Sequence, residues 1–377
     1  MTAPRHPSRL QTPFGNFDLA RYPAGAGQTL LPWCAADTLL LEEIHRREIP
    51  GSNILVVNDS QGALCVALEP RALWTDSALA VLALRRNEAA NSRGETAIVW
   101  STDTPAFTPE VVVLRVPKQL SFLEYQLSQL ARCLPTGATV LAAGMDKHLS
   151  PNTAQVLERF IGPTQRHPGQ RKARLFSATK ADLPVPDVIG TAKYFCPDLA
   201  AELEGLPNVF SRENLDIGTR FLLSQLHCLA PAQTIVDLAC GNGILGLVAL
   251  RRGLAERVVF CDESALAIAS AQGNAKRIFP QQQRQFLFHH GDGLLAYRGE
   301  PVELILCNPP FHQEHTVNEL AGQHLLLQCG RHLQPGGRLC LVANNNLNYL
   351  PTLRRVCHRV ERLASNARFN IFLAHKT

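Results

Sequence analysis

The chain has 377 residues, 46% of them hydrophobic and 18% charged, which is more than one domain of about 150 residues and enough apolar material for sizeable cores. A formal net charge of +5 permits an acidic partner such as nucleic acid without demanding one. The 11 cysteines include no C-x-x-C pair, so neither a zinc ribbon nor a thioredoxin-like site is suggested; many lie inside apolar runs (Cys65, Cys261, Cys307, Cys340), the usage of a reducing cytosol.

Residues 1–30 are rich in proline, glycine and polar types and are expected to run across the surface. They hold no apolar signal-peptide core, and no run approaches the roughly 18 apolar residues that span a bilayer. A soluble, cytoplasmic protein with no membrane segment is expected. Apolar residues at helical spacing then predict a helix over Trp33–His45, behind Asp37. Asn53–Val57 reads as a strand, Asn58–Gly62 as a turn and Ala63–Leu68 as a helix. Leu73–Asp76 reads as a strand end, Ser77–Asn87 as a helix, and Ala97–Trp100 and Val111–Val116 as strands. Phe122–Leu134 is an amphipathic helix, and Thr139–Ala143 a strand after the turn Pro135-Thr136-Gly137. Ile161–Val209 is irregular in pattern, holds many prolines and carries Arg166, Arg171, Lys172 and Arg174 with no acid among them. A linker is expected near residues 180–200, dividing the chain into domains 1–190 and 191–377.

The second half repeats the strand–helix rhythm. Phe221–Leu229 reads as a helix, Thr234–Leu238 as a strand, Ile244–Arg251 as a helix, Arg257–Asp262 as a strand and Ser264–Ile278 as a helix. Gln285–His289 and Val302–Cys307 read as strands, Glu319–Leu333 as a helix, Pro335-Gly336-Gly337 as a turn, and Arg338–Ala343 and Phe369–Leu373 as strands. This alternation is that of a doubly wound α/β fold, and its recurrence implies an internal duplication. In the alignment read from sequence, Asn58 falls opposite Asp237, Gly62 opposite Gly241, Asp76 opposite Asp262, Asp103 opposite Asp292 and Pro117 opposite Pro310, and the two Pro-x-Gly turns coincide. The first copy has one turn glycine instead of two and Arg115-Val116-Pro117-Lys118 where the second has Asn308-Pro309-Pro310-Phe311. It is expected to have lost the chemistry and to bind or position something.

Asp237-Leu238-Ala239-Cys240-Gly241-Asn242-Gly243 follows an apolar strand, and its glycines allow a tight turn and close approach to a ligand. With Gly246 they spell G-x-G-x-x-G, a dinucleotide pattern that is weak alone. Asp237 decides the reading, because an acid at the strand end repels a pyrophosphate but suits an ammonium such as that of a methionine moiety. Asp262, ending the next strand, is placed to accept from ribose hydroxyls, although a helix N-cap is the plainer role for it. Asp292, after the third strand, is placed to accept from an adenine amine. Three carboxylates ending successive strands beside a glycine loop (Gly241, Gly243) describe S-adenosylmethionine better than NAD.

Asn308-Pro309-Pro310-Phe311 closes the strand Val302–Cys307 abruptly, since prolines cannot donate to a ladder or easily begin a helix. Stiff, unpaired carbonyls are left at a carboxyl strand end, where ligands bind in open α/β sheets. If Asn308 Oδ1 and the Pro309 carbonyl each accept one N–H of a planar amine, the nitrogen lone pair leaves the plane along the line of attack on a methyl donor. Orientation and charge placement then carry the catalysis, with Phe311 stacking on the base. His312-x-x-His315 lacks further metal ligands, and no metal is expected. Arg354, Arg355, Arg359 and Arg362 form a basic stretch that is a solvated face or an RNA contact.

At these residues the second half resembles a class I methyltransferase, and Asn-Pro-Pro-Phe is similar to the motif of enzymes that methylate exocyclic or amide nitrogens. Phe311 followed by His312, together with Asn208–Arg220, resembles the ribosomal RNA guanine-N2 methyltransferase family, whose layout of a degenerate half before a catalytic half matches the duplication. The resemblance covers nearly the whole chain and is greatest to the large-subunit branch. It implies tandem Rossmann-like methyltransferase domains, S-adenosyl-L-methionine as methyl donor, and guanine N2 of 23S rRNA as acceptor, in naked RNA or a subunit assembly intermediate. Asn308 would also border the cofactor, and a monomer is expected. The alternatives are a 16S rRNA enzyme of the small-subunit branch, a protein glutamine N-methyltransferase, disfavoured by Phe311, and a non-enzymatic assembly factor. Ala239 departs from the family, where many relatives have glycine.

Overall fold

The computed structural model describes residues 8–24, 30–50, 53–186, 190–310 and 319–377. The chain divides into two compact units, residues 1–190 and 191–377.

The first unit opens with a hairpin, β1 (Ser8–Thr12) and β2 (Gly15–Leu19), followed by α1 (Ala35–Arg46). Next come β3 (Ile54–Val57), α2 (Ala63–Leu68), β4 (Ala72–Thr75), α3 (Ala78–Ala90), β5 (Ala97–Trp100), β6 (Val111–Arg115) and α4 (Leu120–Cys133). The unit ends with β7 (Thr139–Met145), α5 (Thr153–Phe160), β8 (Thr164–Arg166) and β9 (Ala173–Thr179). Seven strands form one sheet in the order β5-β4-β3-β6-β7-β9-β8. Ile54–Val57 is buried throughout, as a central parallel strand covered on both faces must be.

The second unit also begins with a hairpin, β10 (Ala192–Cys196) and β11 (Ala201–Gly205), then α6 (Ile217–Gln225). It continues with β12 (Ala232–Leu238), α7 (Ile244–Arg251), β13 (Ala255–Asp262), α8 (Ala265–Ile278), β14 (Phe286–His290), β15 (Val302–Cys307) and α9 (Glu319–His332). The last elements are β16 (Leu333–Asn344), α10 (Leu350–Val356), β17 (Arg359–Ser365) and β18 (Phe369–His375). Its sheet runs β14-β13-β12-β15-β16-β18-β17, the same order element for element. β18 is antiparallel to both its neighbours, and the other pairs are parallel. Side chains alternate between two apolar layers. Ile235, Phe260, Leu304 and Leu306 pack on one face with α7 and α8 residues, and Val236, Leu238, Val259, Ile305 and Cys307 pack on the other. The sheet order reverses between β12 and β15, so the crevice at their carboxyl ends is the ligand position of such folds.

Three expectations need correction. Residues 8–19 do not merely cross the surface, because Leu10, Phe17 and Leu19 of the hairpin are buried. Ile161–Val209 is not irregular: it supplies β8 and β9 to the first sheet and the hairpin before α6. β8 and the hairpin strands are short and bury few residues, so their apolar signal is faint, whereas β9 is buried over most of its length but mixes small and polar residues (Ala173, Ser177, Ala178) into its run. The turn Pro335-Gly336-Gly337 lies within β16, where the pairing with β15 shifts register between Val302 and Leu304.

The duplication itself is drawn correctly by the strand order, but the alignment of its loops is not. Gly62 and Gly243 are the equivalent residues: each caps the helix after the first parallel strand, at φ +81 and +84. Counting back from them sets Val56, not Asn58, opposite Asp237, and sets Asn58 opposite Ala239, both left-handed at φ +63 and +59. Ser77 and Ser264 cap α3 and α8 alike, which sets Thr75 opposite Asp262. The ladders set Thr102 opposite Asp292 and Arg115 opposite Asn308. The first copy keeps the last glycine of the loop rather than the first, which shifted the sequence alignment by two residues. Among the described residues, no helix is long and apolar enough to cross a membrane.

Candidate active site

The carboxyl ends of β12, β13, β14 and β15 carry the residues singled out in the second half. Asp237 lies in an apolar row, its register partners being Phe260 and Leu306. It is 0% exposed. One carboxylate oxygen accepts the Gly246 N–H at 2.8 Å; the other, Oδ1, is buried with no partner among the described residues. Burial pushes this carboxyl up to about 8, against the hydrogen bond from Gly246 and with help from the Asp262 charge. An acid left half-satisfied in an apolar layer costs stability unless something supplies a donor or a positive charge.

The loop after β12 is shaped by backbone conformation. Ala239, Gly241 and Gly243 all have positive φ. For Ala239 this costs about 1–2 kcal/mol, a cost that a glycine would not carry. A Cβ at Gly246 would come within 2.6 Å of Phe260 and Val258, so the third glycine of the pattern serves helix–sheet packing. Asp262 holds the loop from the neighbouring strand, accepting the Gly241 N–H at 2.9 Å and the Ser264 N–H at 3.0 Å. The N-cap of α8 is Ser264 rather than Asp262, and Asp262 remains partly exposed.

Asp292 is 3% exposed and turned toward α9, where its oxygens lie 2.7 and 2.9 Å from His324 Nε2 and 3.1 Å from Gln328 Nε2. Gln328 in turn accepts the Leu294 N–H at 2.7 Å. The third carboxylate is thus woven into a polar cluster with α9. His324 and Gln328, one helical turn apart, gave no sequence signal because their partner lies more than 30 residues away.

Asn308 leaves the end of β15 with its amide held from behind. Nδ2 donates to Thr219 Oγ1 at 2.7 Å and to Asp216 Oδ2 at 3.2 Å, while Oδ1 is buried with no partner among the described residues. Pro309 is buried and Pro310 partly so. Phe311, His312 and His315 lie outside the described residues. Among those described, no group of three or more His, Cys, Asp or Glu side chains could hold a metal.

Two further residues escaped the sequence reading. Asn274 on α8 is fully buried and ties the hairpin to the loop: its Oδ1 accepts the Glu204 N–H at 2.9 Å, and its Nδ2 donates to the carbonyls of Glu204 at 2.8 Å and Asn242 at 3.0 Å. Tyr194 Oη sits 3.1 Å from Asn242 Nδ2 on the same loop. In the basic stretch, Arg354 and Arg355 are exposed on α10, and Arg359 and Arg362 are exposed on β17, the outermost strand, where charge also discourages edge pairing.

The arrangement offers two buried oxygens without partners among the described residues, Asp237 Oδ1 and Asn308 Oδ1, at the ends of adjacent strands, with a backbone-shaped loop beside them. It fits a ligand that brings a cationic group and a second that brings an amine. Residues 7–182 match the model of the RLMG N-terminal domain, and residues 200–373 match the methyltransferase small domain. The Pseudomonas aeruginosa (strain UCBPP-PA14) protein "Ribosomal RNA large subunit methyltransferase G" is 38% identical over 371 residues, covering 97% of this chain and 99% of its own. The protein of the same description from Alcanivorax borkumensis is 37% identical over 377 residues, covering 96% and 95%. The solved structure of the T. thermophilus 16S rRNA N2 G1207 methyltransferase (RsmC), in complex with AdoMet and guanosine, shares the fold over 98% of both chains, at a TM-score of 0.78 and 20% identity. With relatives this similar along nearly its whole length, the chain belongs to the ribosomal RNA large subunit methyltransferase G family.

Proposed function

We propose that this chain transfers a methyl group from S-adenosylmethionine to the exocyclic N2 of a guanine in 23S rRNA, with the reaction confined to the second unit. The observation that carries the reading is Asn308: its amide nitrogen is anchored and its Oδ1 is a buried acceptor with no partner among the described residues. An acceptor in that state favours an N–H donor, and a nucleobase amine brings two. Relatives at 34–38% identity described as large-subunit enzymes favour 23S over 16S rRNA. The fold neighbour that acts on 16S rRNA is 20% identical.

In this reading S-adenosylmethionine supplies an electrophilic methyl carbon on a sulfonium. Asp237 Oδ1 faces its ammonium, Asp262 accepts from the ribose, and Gly241 and Gly243 let the backbone approach. The Asp292 cluster lies beyond β14, toward the adenine. Asn308 Oδ1 and the Pro309 carbonyl hold the two N–H bonds of the guanine amine, so the lone pair turns out of the base plane. The N–C bond forms as the S–C bond breaks, and the extra proton on nitrogen passes to water. No residue has to remove it beforehand. Phe311 is assigned the stacking role from its place in the motif. The first unit positions rRNA and binds no cofactor. The protein acts in the cytoplasm as a monomer.

The test is methyl transfer from radiolabelled S-adenosylmethionine to protein-free 23S rRNA, 16S rRNA and assembled large subunits, with the modified nucleotide mapped. Label at guanine N2 in 23S rRNA is expected, from RNA or from subunits. Label in 16S rRNA alone, or at another atom, overturns the reading.

A further inference from the structure

A carboxamide has nearly the same shape after a half-turn about its last bond, but the turn exchanges acceptor and donor. For Asn308 that exchange would be ruinous. The guanine amine offers only N–H groups, so an Asn308 turned the wrong way would meet donor with donor. We propose that Asp216 and Thr219 are positioning residues that fix which end of the Asn308 amide meets the substrate; this rests on the reading of Asn308 as the amine acceptor.

The geometry is specific. Asp216 is the N-cap of α6, and its Oδ2 accepts the Thr219 N–H at 2.8 Å as well as Asn308 Nδ2 at 3.2 Å. Thr219, three residues on and 5% exposed, places its hydroxyl oxygen 2.7 Å from the same nitrogen. A carboxylate can only accept, so it admits the amide nitrogen and rejects the amide oxygen. The cap thus passes the orientation of α6 to the end of β15.

The first unit supplies an independent observation. Cys34 is the N-cap of α1 as Asp216 is of α6, and Asp37 stands three residues on, as Thr219 does. Together they hold Arg115, which occupies the place of Asn308: Nη1 donates to Asp37 Oδ1, and Nη2 lies 3.2 Å from Cys34 Sγ. The two places at the helix start grip the residue leaving the central strand in both units, and they have changed chemistry with what they grip. A guanidinium has a carboxylate at the second place; an amide nitrogen has a hydroxyl there and a carboxylate at the cap. Helix capping alone would not require that match.

The experiment uses the full chain, radiolabelled S-adenosylmethionine and 23S rRNA in whichever form, protein-free or assembled in large subunits, the parent chain methylates. Thr219→Val keeps the shape and removes the near acceptor. Asp216→Ser keeps a capping hydroxyl for the helix and withdraws the carboxylate from Asn308. Each is expected to lower kcat about 10- to 100-fold, with rRNA KM and S-adenosylmethionine Kd within about twofold of the parent, while Thr219→Ser restores most of the kcat. The proposal is overturned if either variant keeps its kcat within twofold, if Thr219→Ser falls as far as Thr219→Val, or if the loss appears in KM and Kd instead. A parent chain that binds S-adenosylmethionine but never methylates guanine N2 removes the functional reading, and this proposal with it. An active parent with unaffected variants removes this proposal alone.

Discussion

The two units share strand order, the hairpin-then-helix opening and even a buried asparagine, yet differ where strands end. Asn87 of the first unit does what Asn274 does in the second: it is 0% exposed, bonds both ways to Ala20 beyond the hairpin and donates to the Gln61 carbonyl in the loop. At the strand ends, Val56 stands for Asp237, Thr75 for Asp262, Thr102 for Asp292 and Arg115 for Asn308. The loop itself differs in one telling residue. Asp59, 2% exposed, takes the place of Cys240, and its two oxygens accept the N–H groups of Gly62, Ala63, Leu64 and Cys65 at 2.8–3.1 Å. The first unit satisfies its loop amides with its own carboxylate, whereas the second leaves Asp237 Oδ1 and Asn308 Oδ1 without partners among the described residues. A fold can therefore keep its core and lose its site by closing its own polar ledger. Replacing the buried acid by Val56 removes a desolvation cost and adds an apolar contribution of about 1.5–3 kcal/mol.

The sharpest break of this comparison is the pair Asn308→Ala and Arg115→Ala. The first should lower methyl transfer about a thousandfold with S-adenosylmethionine affinity nearly unchanged, because it removes an orienting acceptor. The second should leave turnover of bound rRNA intact and destabilise the first unit by about 3 kcal/mol, since Asp37 loses its buried partner. Single-turnover rates and denaturant midpoints read the two effects separately. Equal losses of turnover would end the division of labour.

The next effect lies in pH. Asp237 keeps its proton to about 8 when folded, against 3.8 for the ordinary group, so between those values the folded chain binds more protons than the unfolded one. Stability without ligand should fall by a few kcal/mol as pH rises through that window and level off above it. Asp237→Asn should flatten the slope, and saturating S-adenosylmethionine should reduce it. A slope unchanged in the variant would show that this carboxyl is not its source. Val56, the counterpart, contributes none.

Asn87→Ala and Asn274→Ala should each cost about 2–3 kcal/mol, because each strands backbone groups that the amide satisfies. The comparison sharpens if only Asn274→Ala also weakens S-adenosylmethionine binding, measured by calorimetry. Asp59→Ala should have the smallest consequence, about 1–2 kcal/mol in the first unit as for loss of a helix cap. It should bring no S-adenosylmethionine binding there, since Val56 and Arg115 remain.

Much of this was legible in the residues. Largely buried strands such as Val302–Cys307 and the glycine-punctuated loop announce themselves because burial on both faces and a tight turn each impose a local pattern. The edge strand β8 and both hairpins did not, because three to five residues with few or none of them buried leave little periodicity. The loop alignment of the two halves is not legible in sequence, because the first copy keeps only the last loop glycine, and the helix caps and ladder registers place Val56 opposite Asp237.

Sequence alone determined the fold class and the duplication and pointed to the second half for the chemistry, because strand–helix rhythm, strand-end carboxylates and Asn-Pro-Pro are properties of contiguous chain. Tertiary structure decided which oxygens lack a partner among the described residues and what holds the groups that carry them. Asn308 is gripped by residues 89 and 92 positions away, Asp292 is gripped from α9, and Asp237 is half-satisfied by Gly246. Hydrogen-bond completeness is a count over neighbours in space, and no local stretch of chain contains it.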